Sequence, residues 1–127
     1  MTDEDLLEPF HLAVIRSVAN ESDVPEPTLR DALEAHQQTM RDSPGVDELV
    51  YEWRKRFDAP VLAQSDSVYI VAVHPGVWEE YGEHLDLEED VLGAVAAVHQ
   101  EQTLRDDRVT FEDIDPDAVP LIVARPS

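Results

Sequence analysis

Apolar residues recur every three or four positions as far as Phe57, the spacing of helices that each bury one face. Segments containing proline, glycine, serine or aspartate interrupt this pattern. The pattern predicts three helices: one from Pro9 to about Asn20, one that follows Asp23 and runs to about Met40, and one from Val46 to Phe57.

A shorter periodicity follows the third helix. The short segment Val61–Gln64 and the β-branched segment Val68–Val73 flank a Ser-Asp-Ser turn and predict a β-hairpin. The second segment is too apolar to face water on both sides, so it is predicted to be a central strand. Leu121–Ala124 predicts a final strand that pairs with Val68–Val73, and Val109–Phe111 predicts a brief extended piece.

Two further helices separate the hairpin from the last strand. An apolar stripe from Val77 to Leu85 indicates a short helix, and a longer helix is predicted from Asp86 to about Leu104. A chain of 127 residues can bury a core as one domain, so residues 1–127 are predicted to form a single domain. The predicted fold is therefore α+β, with about five helices packed on a small sheet made of the β-hairpin and the C-terminal strand.

The second and fifth predicted helices begin with the same spacing of acidic residues. Asp23 is followed three residues later by Glu26, and Asp86 is followed three residues later by Glu89. This is the spacing of an N-terminal capping box, in which the first side chain accepts a hydrogen bond from an early helical amide. We therefore predict that Asp23 and Asp86 are helix N-caps.

The same two helices are similar over a longer stretch. EAHQQTMRD, residues 34–42, returns as AVHQEQTLRDD, residues 97–107, and His36 aligns with His99. One extra residue precedes the second Gln-Thr-x-Arg-Asp, and on a helix it turns the later side chains by about 100°. The similarity has two explanations: two amphipathic helices of like composition, or a duplicated helical hairpin. The two histidines could share a metal ion if the fold brings them together.

Residues 18–33 also resemble a helix-turn-helix motif. Their apolar positions match the motif, whose second helix enters the DNA major groove. The likeness implies Thr28 and Arg30 as DNA-contacting residues, because arginine can bind guanine through two hydrogen bonds. The match fails where Asp23 replaces the usual turn glycine and where Glu26 and Asp31 would face phosphates. A plain helical hairpin is the competing interpretation.

The net charge of the chain indicates the cellular compartment in which it works. The chain has 29 acidic and 9 basic residues, a net charge of −20, and only Lys55 is a lysine. Such self-repulsion destabilises a folded chain in dilute buffer, whereas molar salt shortens the Debye length to about 3 Å and screens it. Acidic residues spread along the whole chain are therefore typical of a salt-rich cytoplasm. The N-terminal MTDEDLLEPF lacks the basic start of a secretory signal, and no apolar run would span a membrane, which also predicts a cytoplasmic protein.

Residues with catalytic or ligand-binding potential are few. The chain has no cysteine, its five histidines do not form a metal-binding helix motif, and no cofactor is predicted. Arg54, Lys55 and Arg56 form the one cluster of basic residues. These cations either complement the C-terminal end of the third helix or bind a phosphate or an acidic partner.

These observations favour a non-catalytic interaction or regulatory module whose partner is another protein or a second copy of the chain. Arg54, Lys55 and Arg56 are the predicted partner-binding residues. A DNA-binding regulator that uses the first three helices, with the hairpin of residues 61–73 as a wing, is the alternative. An enzyme assembled from dispersed carboxylates and histidines is a third hypothesis.

Residues 68–104 carry a family resemblance. The stretch VYIVAVHPGVWEEYGEHLDLEEDVLGAVAAVHQEQTL resembles a family of small acidic proteins of halophilic archaea that has no known activity. The likeness is carried by Trp78, Gly82, Leu85, Leu87, His99 and Gln102. The resemblance implies a halophilic cytoplasmic protein and assigns no catalytic residue.

The net charge predicts that folding depends on salt. We expect the thermal midpoint measured by far-ultraviolet circular dichroism to rise between about 0.1 M and 2 M sodium chloride, because screening removes the repulsion among carboxylates. A midpoint that stays constant across this range would contradict adaptation to a salt-rich compartment.

Overall fold

The fold places helices against a three-stranded antiparallel sheet, as the sequence predicts. The computed structural model describes Leu7 and residues 9–42, 46–56, 60–106, 109 and 118–124. Within these ranges are five helices and three strands: α1 (Leu12–Ser22), α2 (Glu26–Asp42), α3 (Val46–Arg56), β1 (Val61–Gln64), β2 (Val68–Val73), α4 (Pro75–His84), α5 (Glu89–Leu104) and β3 (Val119–Ala124). The α+β prediction is therefore confirmed.

The first helix begins later than its apolar stripe suggests. Phe10 belongs to a turn closed by its N–H, which donates to the Leu7 carbonyl at 2.9 Å. His11 has extended dihedral angles and precedes the first residue of α1, so Pro9 lies outside the helix. The third helix was predicted to run from Val46 to Phe57. In the structure α3 is described as far as Arg56, and Phe57 lies outside the described residues.

The two predicted capping boxes are wrong. Asp23 and Asp86 each lie three residues before a helix and have φ angles of 57° and 55°. The N–H of Asp23 donates to the Ala19 carbonyl, so this residue ends α1 instead of starting α2. Glu88 precedes α5 and makes no side-chain capping bond. Aspartate is among the few residues that tolerate the left-handed region, so the acid closes the preceding helix.

The sheet has the order β1-β2-β3, with both neighbouring pairs antiparallel. Strand β2 is central, as predicted, and a register shift between Val61 and Ala63 interrupts its pairing with β1. Strand β3 begins two residues before the predicted start and includes Pro120, which a strand at the sheet edge tolerates. In the predicted extended piece, Val109 is buried outside any strand, while residues 110 and 111 lie outside the described residues.

Helix α5 lies at the centre of the packing. It contacts α1, α2, α4 and β3, and its apolar sequence is explained by the burial of Ala94, Val95 and Val98. Buried or partly buried apolar residues from all eight described elements join one hydrophobic cluster. Across the described residues, every helix is too short or too polar to cross a membrane.

The outer edge of β3 is covered by side chains instead of a fourth strand. Gln37 from α2 donates through Nε2 to the Ile122 carbonyl at 2.7 Å and accepts the Ala124 N–H at Oε1 at 2.8 Å. His99 from α5 accepts the Ile122 N–H at Nδ1, also at 2.8 Å. Arg41 adds a longer bond of 3.4 Å to the Ala124 carbonyl. The Gln37 amide thus takes the place of a neighbouring peptide group and satisfies backbone atoms that an edge strand otherwise leaves open.

The described structure supports a duplicated helical hairpin as the explanation of the sequence similarity. Residues 63 positions apart have matching conformations in α1–α2 and α4–α5. The matching pairs are His11 and His74 in extended backbone before a helix, Asp23 and Asp86 at positive φ, Glu26 and Glu89 as first helical residues, and His36 and His99 as buried residues. Equivalent turn bonds occur as well, from Val24 N–H to Ala19 and from Leu87 N–H to Gly82.

Candidate functional site

A cleft of about 330 Å³ opens between α2, α3 and α4. Each helix contributes side chains that can bind polar or aromatic groups: Thr39 from α2, Trp53 and Arg56 from α3, and Glu80, Tyr81 and His84 from α4. Leu49 and Val77 add apolar surface to the same cleft. A concave site with an apolar lining and a few polar groups is the usual form of a binding site.

The predicted partner-binding residues lie on α3, one of the three helices that border this cleft. Arg54, Lys55 and Arg56 form the last turn of α3, and all three are exposed. Lys55 lies 3.5 Å from a Glu52 carboxylate oxygen and 5.1 Å from the centre of the Tyr51 ring, which is 58% exposed. Arg56 is the member of the cluster that lines the cleft.

The predicted DNA-contacting residues lie on a different helix. Thr28 and Arg30 are exposed near the start of α2. Glu26 on the same turn forms an ion pair with Arg16 of α1 at 3.4 Å, and Asp31 is exposed beside Arg30. The structure therefore does not join Thr28 and Arg30 to the basic cluster, which is on α3.

Tyr81 connects the cleft to the protein interior. Its side chain lines the cleft, and its ring lies edge-on to the His36 ring with the two centroids 4.5 Å apart. Burial, reinforced by the negative charge of Glu80, raises the pKa of Tyr81 to about 12. The phenol therefore stays protonated across the neutral range and offers the cleft a neutral hydroxyl.

Behind Tyr81 lies a cluster of aromatic and imidazole rings, which we call the His36 cluster: Phe10, His36, Trp78, Tyr81 and His99. The fold does bring His36 and His99 together, with ring centroids 5.5 Å apart. Trp78 contacts both histidines at 5.0 Å and 4.8 Å, and Phe10 contacts His99 at 4.9 Å. The two equivalent helices of the repeated hairpin therefore supply the two imidazoles.

The hydrogen bond to β3 fixes the tautomer of His99. Because Nδ1 accepts the Ile122 N–H, that nitrogen carries no proton and Nε2 carries one. A protonated Nε2 cannot ligate a metal ion, so this arrangement opposes a metal shared by His36 and His99. In the part of the chain that the structure describes, no group of three or more histidine, aspartate or glutamate side chains is placed to hold a metal.

Burial makes both cluster histidines poor proton acceptors. Desolvation lowers the pKa of His36 to about 3. Desolvation also lowers the pKa of His99, and the neighbouring His36 adds to the effect. Neither nitrogen of His36 has a hydrogen-bond partner among the described residues, and the same is true of Trp78 Nε1 and His99 Nε2. Burial of a polar atom without a hydrogen bond lowers the free energy of unfolding by about 1–3 kcal/mol, so four such atoms in one cluster are unusual for a purely structural core.

The family of the chain follows from a match over nearly all of its length. The family model described as a domain of unknown function (DUF8048) covers residues 8–125. The chain belongs to this family. No curated protein and no solved structure matches it. Membership of DUF8048 agrees with the resemblance to a family without known activity. The description of the family names no function, so a function has to be inferred from the structure of this chain.

Sequence reasoning missed most of the site in this DUF8048 chain. Trp78 and Tyr81 belong to an apolar stripe, which predicts burial and gives no sign that both rings contact His36. Thr39 and Thr103, which align once the extra residue is inserted, occupy different environments. Thr39 lines the cleft, whereas Thr103 is fully buried and donates to the His99 carbonyl at 2.8 Å. This difference agrees with the prediction that the extra residue turns the later side chains of the second helix by about 100°.

The low pKa of His36 predicts a specific acid sensitivity. The pKa of His36 is near 6.5 in the unfolded chain and about 3 in the folded chain. Its contribution to the free energy of unfolding is therefore fully present above pH 6.5 and is lost as the pH falls toward 3. From pH 7 to pH 5, His36 alone should remove about 2 kcal/mol from the free energy of unfolding.

Urea unfolding at a fixed high concentration of a salt without halide, such as sodium sulfate, measures this effect. His36→Phe should flatten the dependence of the unfolding free energy on pH between 5 and 7 relative to the control His11→Phe, which changes an exposed histidine. Parallel curves for the wild type and His36→Phe would show that His36 does not titrate as the buried geometry requires.

Proposed function

We propose that this DUF8048 protein is a non-catalytic interaction module of a salt-rich cytoplasm, and that it binds an acidic segment of a partner protein in the cleft between α2, α3 and α4. The observation that carries the proposal is the position of Arg56, which belongs to the basic cluster and also lines the cleft. A cationic group is thereby placed beside apolar and aromatic surface.

Charge supports an acidic partner at this surface. The chain carries a net charge of −20, and residues 54–56 are its one run of three cations. An acidic partner is repelled by most of the surface, and the basic cluster is the place where opposite charges meet. In molar salt the Debye length is about 3 Å, so contacts at hydrogen-bond distance contribute and distant charges do not. Arginine suits this condition because its guanidinium binds a carboxylate through two parallel hydrogen bonds.

Side-chain type supports protein binding at the same place. Tryptophan, tyrosine and arginine are the residues that most often dominate binding energy at protein interfaces. Trp53, Tyr81 and Arg56 line the cleft, and Tyr51 is exposed near Lys55 on α3. A partner segment with acidic and apolar side chains would use both the charged and the aromatic groups.

The state of the titratable residues favours binding over catalysis. The pKa of Tyr81 is raised and the pKa values of His36 and His99 are lowered, so none of the three has a pKa close to 7. General acid–base catalysis works best with a pKa close to the operating pH. An enzyme would have to use the more exposed Glu80 and His84 of the cleft instead.

A DNA-binding regulator that uses Thr28 and Arg30 is the second proposal. The helix-turn-helix likeness supports it, while Glu26 and Asp31 weigh against it because a DNA-reading helix must bring cations to a dense array of phosphates. We expect no sequence-specific duplex binding through Thr28 and Arg30.

One capture experiment in native salt separates these proposals. The tagged protein is used as bait for protein and genomic DNA in three forms: wild type, an Arg54, Lys55, Arg56 triple alanine variant, and Arg30→Ala as a control for loss of an exposed cation. We expect defined protein partners with the wild type and with Arg30→Ala, and at least a tenfold weaker affinity of the purified partner for the triple variant.

Three other results would change the conclusion. A palindromic DNA sequence that is lost with Arg30→Ala would make the DNA regulator the correct function. A partner that binds the triple variant as tightly as the wild type would contradict the cleft as the binding surface. Sedimentation of the wild type as a dimer, with the triple variant monomeric, would identify a second copy of the chain as the partner.

A further inference from the structure

Three rings with polar nitrogen atoms meet inside the protein, away from the proposed partner surface. His36, Trp78 and His99 contact one another pairwise, with centroid separations of 5.0, 4.8 and 5.5 Å. All three side chains are almost completely buried. Four of their nitrogen atoms have no hydrogen-bond partner in the described structure: His36 Nδ1, His36 Nε2, Trp78 Nε1 and His99 Nε2. None of these three residues lines the cleft.

The protons on these atoms show what kind of ligand would satisfy them. The indole nitrogen of Trp78 is always a donor, and His99 Nε2 is a donor because Nδ1 accepts the Ile122 N–H. A neutral His36 adds one donor and one acceptor. The group therefore presents three donors and one acceptor. A water molecule accepts two hydrogen bonds and leaves one donor without a partner, whereas a halide ion accepts three or more.

We propose that His36, Trp78 and His99 form an internal binding site for a monovalent anion of halide size, with chloride as its occupant in a salt-rich cytoplasm. The rings are too close for an ion to lie between their centres, so we place the ion beside them, within hydrogen-bond distance of the N–H groups. Neither the site nor its occupant depends on the partner-binding function of the cleft.

Charge balance requires a proton to enter with the anion. An unpaired anion in an apolar interior is strongly disfavoured, but protonation of His36 supplies a positive charge and removes its one acceptor. The groups that face His36 are His99 from α5 and Trp78 and Tyr81 from α4, and none of them supplies a charge. Glu80 is the charged residue nearest to this set that the structure shows, and its negative charge acts on Tyr81, the ring beside His36. Anion affinity should therefore rise as the pH falls.

Crystals grown in molar sodium bromide test the site directly, because bromide gives an anomalous scattering peak. At pH 5 we expect one peak within hydrogen-bond distance of Trp78 Nε1 and His99 Nε2, with lower occupancy at pH 8. A cluster without a bromide peak at pH 5, or with a water molecule in its place, would overturn the proposal. So would a structure in which the N–H groups point only at neighbouring ring faces, since such contacts can satisfy a donor weakly.

Two variants and a matched control test the assigned donors. Trp78→Phe removes one N–H and keeps an aromatic ring, and His36→Phe removes both nitrogens of the central imidazole. Both should abolish the bromide peak, whereas Trp53→Phe, which changes the other tryptophan outside the cluster, should retain it. A peak that persists at full occupancy in Trp78→Phe and His36→Phe would contradict the site. If either variant fails to fold, the wild-type crystals at the two pH values still decide.

Discussion

Two buried side chains hold the outer edge of β3, and the arrangement of the helices depends on them. Gln37 reaches β3 from α2, and His99 reaches it from α5, through three hydrogen bonds of 2.7–2.8 Å. These bonds satisfy peptide groups of an edge strand that would otherwise be buried without partners or open to pairing with another chain. They also fix the rotation of both helices about their axes, since each helix must present one particular residue to the same strand.

The two anchors lie on the equivalent helices of the repeated hairpin, but at positions that differ by one residue. His36 and His99 occupy equivalent positions in α2 and α5, yet only His99 binds the strand, while on α2 the next residue, Gln37, takes that role. His36 is thereby left among rings; neither of its nitrogens is hydrogen-bonded to a described residue, and its pKa is about 3. Of the two equivalent histidines, His99 therefore has a structural role at the strand, and His36 makes no hydrogen bond to a described residue. Of the five residues of the His36 cluster, Tyr81 is the one that lines the cleft, and its ring contacts His36.

Periodicity was sufficient to predict the fold, because burial of one face is a local property that every turn of a helix or strand repeats. The order of elements, the central position of β2 and the pairing of the last strand were all predicted correctly. The capping boxes failed because Asp-x-x-Glu fits an N-cap and also fits an aspartate that ends one helix three residues before the next. The roles of Gln37 and His99 could not be predicted, because their partner Ile122 lies 85 and 23 residues away in the chain. Arg56 was predicted from its charge, but its place in a cleft depends on three helices.

Hydrogen exchange at Ile122 and Ala124 tests the anchoring of β3 most directly. Both amides lie on the outer edge of the sheet, and we predict that both exchange only through global unfolding, because His99 and Gln37 accept their protons. In Gln37→Leu the Ala124 amide should exchange faster than in the control Gln38→Leu, an exposed neighbour. Unprotected exchange of Ile122 and Ala124 in the wild type would contradict the claim that side chains from the two helices seal this strand.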